Sequence, residues 1–273
     1  MLPYYSYMKY YFLFLIIFSN SFNIYSQSNN DTSTFVLGAT KVYTIVQSAP
    51  PLHPGIYFLS VHENEQTGIK AATDFIDQNG GSFLHLVHGV ERNIQFSFRD
   101  TNYVFDPNRI FSKDGRRKTL DTLGLFSASA DSIVAAFSEH ILEMMPNPIL
   151  VIAIHNNTNE NFSIKSYKKG QIYAGDAARI YINKKLDADD FILTTDLDVF
   201  KFMQQKRLNV ILQDNAHCTD DGSLSVYFGK KGIAYINIEA EHGHAVQQTV
   251  SLEAAAEWIN TIKKMSSENS QNQ

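Results

Sequence analysis

Two histidines and two glutamates in this 273-residue chain interrupt segments that are otherwise apolar. His62 ends IYFLSVH, Glu65 follows three residues later in H-E-N-E, His155 ends ILVIAIH, and Glu239 lies near the end of IAYINIE. Two imidazoles and one carboxylate are an ordinary ligand set for a single catalytic zinc ion, with a fourth place for water. The short step from His62 to Glu65 lets two ligands come from one turn. His155, as third ligand, ties the site to a distant strand. Glu239 is then free to act as a general base. Each feature alone is weak: His-x-x-Glu is frequent by chance, and a histidine ending a buried strand is often a hydrogen-bonded structural residue. Together they carry weight, because several such groups are costly to bury without a partner or a metal.

A second polar group lies in RDTNYVFDPNRIF, residues 99–111. Arg109 offers a planar fork for a carboxylate, and the neighbouring Asn108 adds an amide donor. Arg99 is a candidate for polarising a carbonyl and stabilising the oxyanion that forms from it. The alternative is a surface loop with solvated arginines.

Strand and helix signals that must position these residues alternate along the chain. Residues 43–49, 56–62, 83–89, 93–98, 148–157, 208–213 and 233–241 read as strands. Helical spacing marks 65–80, where Ile69, Ala72, Phe75 and Ile76 share a face, and also 129–145, 197–207, 223–232 and 251–265. The near-continuous apolar run PILVIAIHNN predicts a strand covered on both faces. The pattern implies an α/β three-layer sandwich with a mixed, largely parallel central sheet covered by helices. In such sheets, ligands bind at the carboxyl ends of strands.

Composition narrows the function classes. With 23 basic and 28 acidic residues, no basic stripe suits nucleic acid, so no nucleic-acid partner is expected. The single cysteine, Cys218, excludes an internal disulfide and a cysteine-rich zinc module. Residues 11–19, YFLFLIIFS, have the length of a signal-peptide apolar region and are too short to span a bilayer. The expectation is a signal peptide over 1–26, a flexible segment over 27–40, one zinc-hydrolase domain over 41–265 and a polar tail over 266–273. That organisation implies a periplasmic or secreted protein with no membrane span after cleavage.

These motifs resemble, in order and spacing, the zinc carboxypeptidase superfamily, and particularly its short aspartoacylase and succinylglutamate desuccinylase branch. The resemblance rests on VHENE, FDPNRIF with Asp106, Asn108 and Arg109, IAIHNN, and YINIEAE, and it spans about residues 43–262. It implies a zinc-carboxypeptidase-like fold and a hydrolase of amide bonds next to a free carboxylate. One zinc ion would be held by His62, Glu65 and His155. Glu239 would serve as base and then as acid, Asn108 and Arg109 would grip the substrate carboxylate, and Arg99 would polarise the carbonyl. The chain departs from the pattern at several points. Arg99 stands four residues before Tyr103, which leaves Arg92 as a rival. Glu63 occupies a position where the short branch carries glycine. Glu241, two residues after Glu239 and on the same side of a strand, competes as base. The extra C-terminal domain of the desuccinylases is not expected here, which would leave an open substrate mouth.

Other histidines read as structural or solvated. His85 and His88 point to opposite faces of a strand, while His242 and His244 follow the candidate base and could orient it. His217 beside Cys218 suggests a Cys–His nucleophile, but adjacent residues on an extended chain point apart. Tyr227 and Tyr235 read as core. Three functions therefore compete: an exported carboxypeptidase-like enzyme acting on peptides or cell-wall stem peptides of peptidoglycan, an N-acyl amino-acid deacylase, and a non-catalytic binding module on the same fold. The export signal favours the first.

Overall fold

The computed structural model describes residues 28–159 and 161–271. The apolar run expected to be a signal peptide lies outside them. In chain order the elements are β1 (Asn29–Leu37), β2 (Thr40–Ala49), β3 (Ile56–Ser60), α1 (Gln66–Asn79), β4 (Gly81–Val87), β5 (Ile94–Phe98), β6 (Thr101–Phe105), α2 (Lys113–Leu123), α3 (Ala128–Glu143), β7 (Leu150–Asn157), β8 (Ala177–Tyr181), β9 (Phe191–Thr194), α4 (Leu197–Gln205), β10 (Val210–Gln213), α5 (Leu224–Lys230), β11 (Ala234–Glu241) and α6 (Ala245–Gln271). Short 3-10 turns fall at Pro107–Arg109, Ile164–Tyr167 and Ala174–Asp176.

The central sheet has nine strands in the order β1-β2-β4-β3-β7-β11-β9-β10-β8. Its four middle strands, β4, β3, β7 and β11, run parallel. Antiparallel neighbours flank them, with β2 on one side and β9 on the other. The expected mixed sheet with a parallel centre is therefore what the chain forms. β5 pairs only with β6, in a separate two-stranded sheet.

Strand alternation sorts the two faces. On β7, Leu150, Ile152 and Ile154 pack with Ile69, Phe75 and Ile76 of α1, Met203 of α4, and Leu252 and Ile259 of α6. Val151 and Ala153 turn the other way, into the core with Leu120 of α2, Val134 and Phe137 of α3, and Phe228 of α5. His155 continues that second register, as Tyr235, Asn237 and Glu239 do on β11. Helices thus cover both faces, and His155 of β7 shares one face with Asn237 and Glu239 of β11 at the carboxyl ends of their strands.

One expectation about a segment is corrected, and another gains a secondary structure. From residue 28 on, the stretch expected to be a flexible lead-in (27–40) is ordered: β1 pairs antiparallel with β2 at nine positions, from Asn29 against Ser48 to Leu37 against Thr40. It is an edge strand, mostly exposed and polar, so no apolar alternation announces it. The last helix starts at Ala245 and continues to Gln271, through most of the segment read as a polar tail, because no Gly or Pro interrupts it.

Candidate active site

β3 ends at Ser60, and the chain turns through His62 to Glu65, which caps α1. Glu65 N–H donates to the His62 carbonyl at 3.2 Å, and Ile69 N–H donates to the Glu65 carbonyl. The His-x-x-Glu step is therefore one strand-to-helix turn. Gly68, in the first turn of α1, lets the helix approach β7 closely: a Cβ there would lie 2.6 Å from Ile154 Cγ2. Its N–H donates to Asn156 Oδ1 at 2.8 Å. The turn is thereby held against His155.

The three ligand candidates meet. His62, Glu65 and His155 are 0, 1 and 3% exposed. His62 Nδ1 lies 3.0 Å from Glu65 Oε1 and 3.2 Å from His155 Nδ1, and His155 Nδ1 lies 2.9 Å from Glu65 Oε2. A tetrahedral zinc site with bonds of about 2.0–2.1 Å has ligand-to-ligand edges of about 3.3 Å, so the donor spacing fits that ion. The donor types fit as well. His62 donates its other nitrogen, Nε2, to Asp106 Oδ1 at 2.8 Å, which leaves Nδ1 as the ligating atom and fixes the ring. Burial lowers the pKa of His62, but Glu65 and Asp106 outweigh it and push the imidazole up to about 9. Burial raises both carboxyls, but the histidines beside them hold Glu65 and Asp106 far below the usual carboxylate range.

A polar cavity of 520 Å³ opens over this cluster, with Glu65, His155, Arg92, Asn108, Arg109 and Glu239 in its wall. Four of the eight buried side-chain atoms without a hydrogen-bond partner among the described residues belong to residues that line it: Asn64 Oδ1, His155 Nε2, Asn157 Oδ1 and Asn237 Oδ1. Such groups are costly when buried dry, and their concentration here suits a polar ligand. Glu239 faces His155 across the β7–β11 register and is 7% exposed. Burial raises its pKa, partly offset by His155. Asn237 Nδ2 donates to Glu239 Oε1 at 3.0 Å. Glu241 is not among the lining residues. Its Oε2 lies 3.7 Å from His244 Nε2, outside the cavity.

The arginines separate. Arg99 sits in the β5–β6 turn with Asp100, both at positive φ, and lies over the Phe98 ring. It is exposed and absent from the cavity wall, so the expectation that it polarises a carbonyl is not met. A two-residue hairpin turn needs left-handed backbone at that point, and this directs Arg99 away. Its rival Arg92 does line the cavity: Nη1 donates to Glu65 Oε1 at 2.6 Å, and Nη2 lies 3.7 Å from Asp106 Oδ2. Arg109 follows Asn108 in the Pro107–Arg109 turn. Its Nη1 donates to the Asn108 carbonyl at 2.8 Å, and its Nε lies 3.5 Å from Asp221 Oδ2. Burial lowers its pKa, but Asp221 and Asp106 outweigh it and keep the guanidinium charged. The turn is locked by Gly222, whose φ is +78° and where a Cβ would lie 2.4 Å from the Arg109 carbonyl oxygen.

Several residues of the site carry little sign in the sequence. Tyr167, at the end of the Ile164–Tyr167 turn, and Tyr173 and Asp221, in irregular segments, line the cavity. Asn237 stands two residues before Glu239 on the same strand face, a relation that alternation alone could reveal. Tyr235 is core, stacked on Phe228, and also reaches the cavity. The Cys–His reading gains no support from the thiol: Asp214 does contact His217 Nδ1, at 3.1 Å from both carboxylate oxygens, but burial pushes the Cys218 thiol up, away from thiolate.

No family model matches the chain, and no curated protein sequence matches it. Among solved structures it is similar to a metallo-carboxypeptidase from Burkholderia cenocepacia, at 9% identity over 86% of this chain and 65% of that one, with a TM-score of 0.45. It is also similar to an aspartoacylase family protein from Mesorhizobium loti, at 14% identity over 82% and 67%, TM-score 0.41. A murein-tripeptide amidase from Escherichia coli O157 aligns at 10% identity over 84% and 91%, TM-score 0.42.

Proposed function

We propose that the protein is an exported zinc-dependent hydrolase that cleaves an amide bond next to a free carboxylate, acting in the manner of a carboxypeptidase on peptides or cell-wall stem peptides. The convergence of His62, Glu65 and His155 within about hydrogen-bond distance, beneath a cavity that also holds Glu239, Arg92 and Arg109, supports this most.

His62 Nδ1, His155 Nδ1 and the Glu65 carboxylate would hold the ion, which supplies a Lewis acid beside the scissile carbonyl. Arg109 and Asn108 bind the substrate carboxylate and set the amide in register. Glu239 takes a proton from water as its oxygen bonds to the carbonyl carbon. It then passes that proton to the amine nitrogen as the carbon–nitrogen bond breaks. Burial suits Glu239 to both duties, since a carboxyl with a raised pKa accepts and returns a proton more evenly than a solvated one. Arg92 donates to the oxygen that gains negative charge.

The test is metal analysis of the purified protein with hydrolysis assays on C-terminal peptides, muropeptide stems and N-acyl amino acids. One zinc per chain and chelator-sensitive release of C-terminal residues are expected. Preference for N-acyl amino acids would assign the deacylase function, and tight binding without turnover the non-catalytic one. Absence of zinc and of hydrolysis across the panel would overturn the enzyme assignment. No helix among the described residues is long and apolar enough to cross a membrane. Export is tested by N-terminal sequencing of the mature chain from cell fractions.

A further inference from the structure

Glu63 stands between His62 and Glu65 in the sequence, yet it is not among the residues that line the cavity. Its Oε2 accepts the backbone N–H of His88 and that of Gly89, the latter at 2.7 Å, and the Val90 N–H also donates to the carboxylate. Three successive amides converging on one anion form a backbone nest. Gly89 has φ +122° and Val90 φ +68°. A β-branched residue rarely holds a positive φ, so this turn needs an external anchor. Residues 90–92 are exposed, and little packing is available to supply one. Two residues beyond the nest comes Arg92, whose Nη1 reaches Glu65 Oε1 at 2.6 Å.

We infer that Glu63 is a positioning residue: by capturing the amides of 88–90 it sets the turn that aims Arg92 into the cavity. Glu63 lies in the same tight turn as His62 and Glu65, so one five-residue stretch, VHENE, orients both the metal-ligand candidates and the guanidinium above them. This role rests on that given to Arg92 above, and the experiment separates the two.

Zinc-loaded wild type, Glu63→Ala, Glu63→Gln, Arg92→Ala and the double variant Glu63→Ala/Arg92→Ala are compared on the best-hydrolysed member of the substrate panel. Amide exchange at 88–90 is followed in parallel and needs no turnover. Arg92→Ala should lower kcat about 100-fold, with little change in KM, as loss of an oxyanion donor does. Glu63→Ala should lower kcat about tenfold with the same split, through misplacement, and should add nothing in the Arg92→Ala background. Glu63→Gln keeps an acceptor oxygen and should restore most of the rate. The amides of 88–90 should exchange slowly in the wild type and fast in Glu63→Ala. If Glu63→Ala does not fold, Glu63→Asp, short of the amides by one methylene, replaces it with the same expected losses. Wild-type kcat in Glu63→Ala, multiplicative losses in the double variant, or unprotected amides in the wild type would each overturn the inference. Wild-type kcat in Arg92→Ala would bring down the role of Arg92 and the inference with it, while slow exchange would still locate the fault in Arg92 rather than in the anchor.

Discussion

Two places among the described residues bring a histidine and two further potential ligands within 4.8 Å of one another: His62, Glu65 and His155, and Asp187, Glu241 and His244. By residue type they are near equals. They differ in setting. The first is buried, has one ring fixed from behind by Asp106, and sits beneath a polar cavity beside Glu239. In the second, Asp187 is exposed and Glu241 and His244 are half-buried, and the His244 Nδ1 is already 3.0 Å from Asp190 Oδ1. Water solvates such a group well, so nothing obliges it to hold an ion. Ligand type and proximity are therefore a poor guide alone; burial and outer-shell orientation separate a candidate centre from a surface cluster.

The comparison breaks most visibly at His155. His155→Ala should abolish stoichiometric zinc and, with it, hydrolysis, as measured by metal analysis of the dialysed protein. His244→Ala should leave one zinc per chain. The reverse pattern would exchange the two clusters. Glu239→Gln comes next: zinc retained, kcat lower by about 10²–10⁴-fold, the range for loss of a general base. In the wild type the same carboxyl sets the acid limb of kcat/KM. Because its pKa is raised by burial, the base form is lost at a higher pH than for a solvated glutamate, whose pKa is about 4.3. Activity should therefore fall on acidification before ordinary glutamates titrate. A limb at or below that range would show Glu239 solvated or not the base.

The buried cluster was legible because its residues break strong patterns. A histidine in ILVIAIH or a glutamate in IAYINIE is conspicuous against alternation, and the parallel centre of the sheet followed from the same apolar runs. Legibility failed where pattern was absent. β1 is polar and exposed. The irregular stretch that carries Tyr167 and Tyr173 has no period to read. Arg99 and Arg92 could not be ranked by spacing, since the choice depends on two left-handed residues in a hairpin turn and on a nest around Glu63. Asp106 stood in a visible motif, but its contact with His62, 44 positions earlier in the chain, exists only in three dimensions.

That contact sharpens the comparison further. Asp106→Asn keeps the shape but removes the charge that holds His62 Nε2–H, so zinc affinity should fall about 10–100-fold, read by competition with a coloured chelator. An unchanged affinity would mean that burial alone distinguishes the two clusters.

The smallest effect belongs to the surface cluster and is one of stability. The hydrogen bond from His244 to Asp190 raises the histidine's pKa, against slight desolvation. A histidine whose folded pKa is raised contributes stability that is fully present below its unfolded value, about 6.5. That stability is lost as pH rises through the folded value. His244→Ala should thus lower Tm at pH values below about 6.5 and progressively less in alkaline buffer. Partial exposure screens the pair, so the loss should stay within about 1 kcal/mol. Added zinc should not change that difference if this cluster is only a solvated ion pair. A zinc-dependent rise in Tm that His244→Ala abolishes, while His155→Ala leaves it intact, would instead give the surface cluster an ion of its own.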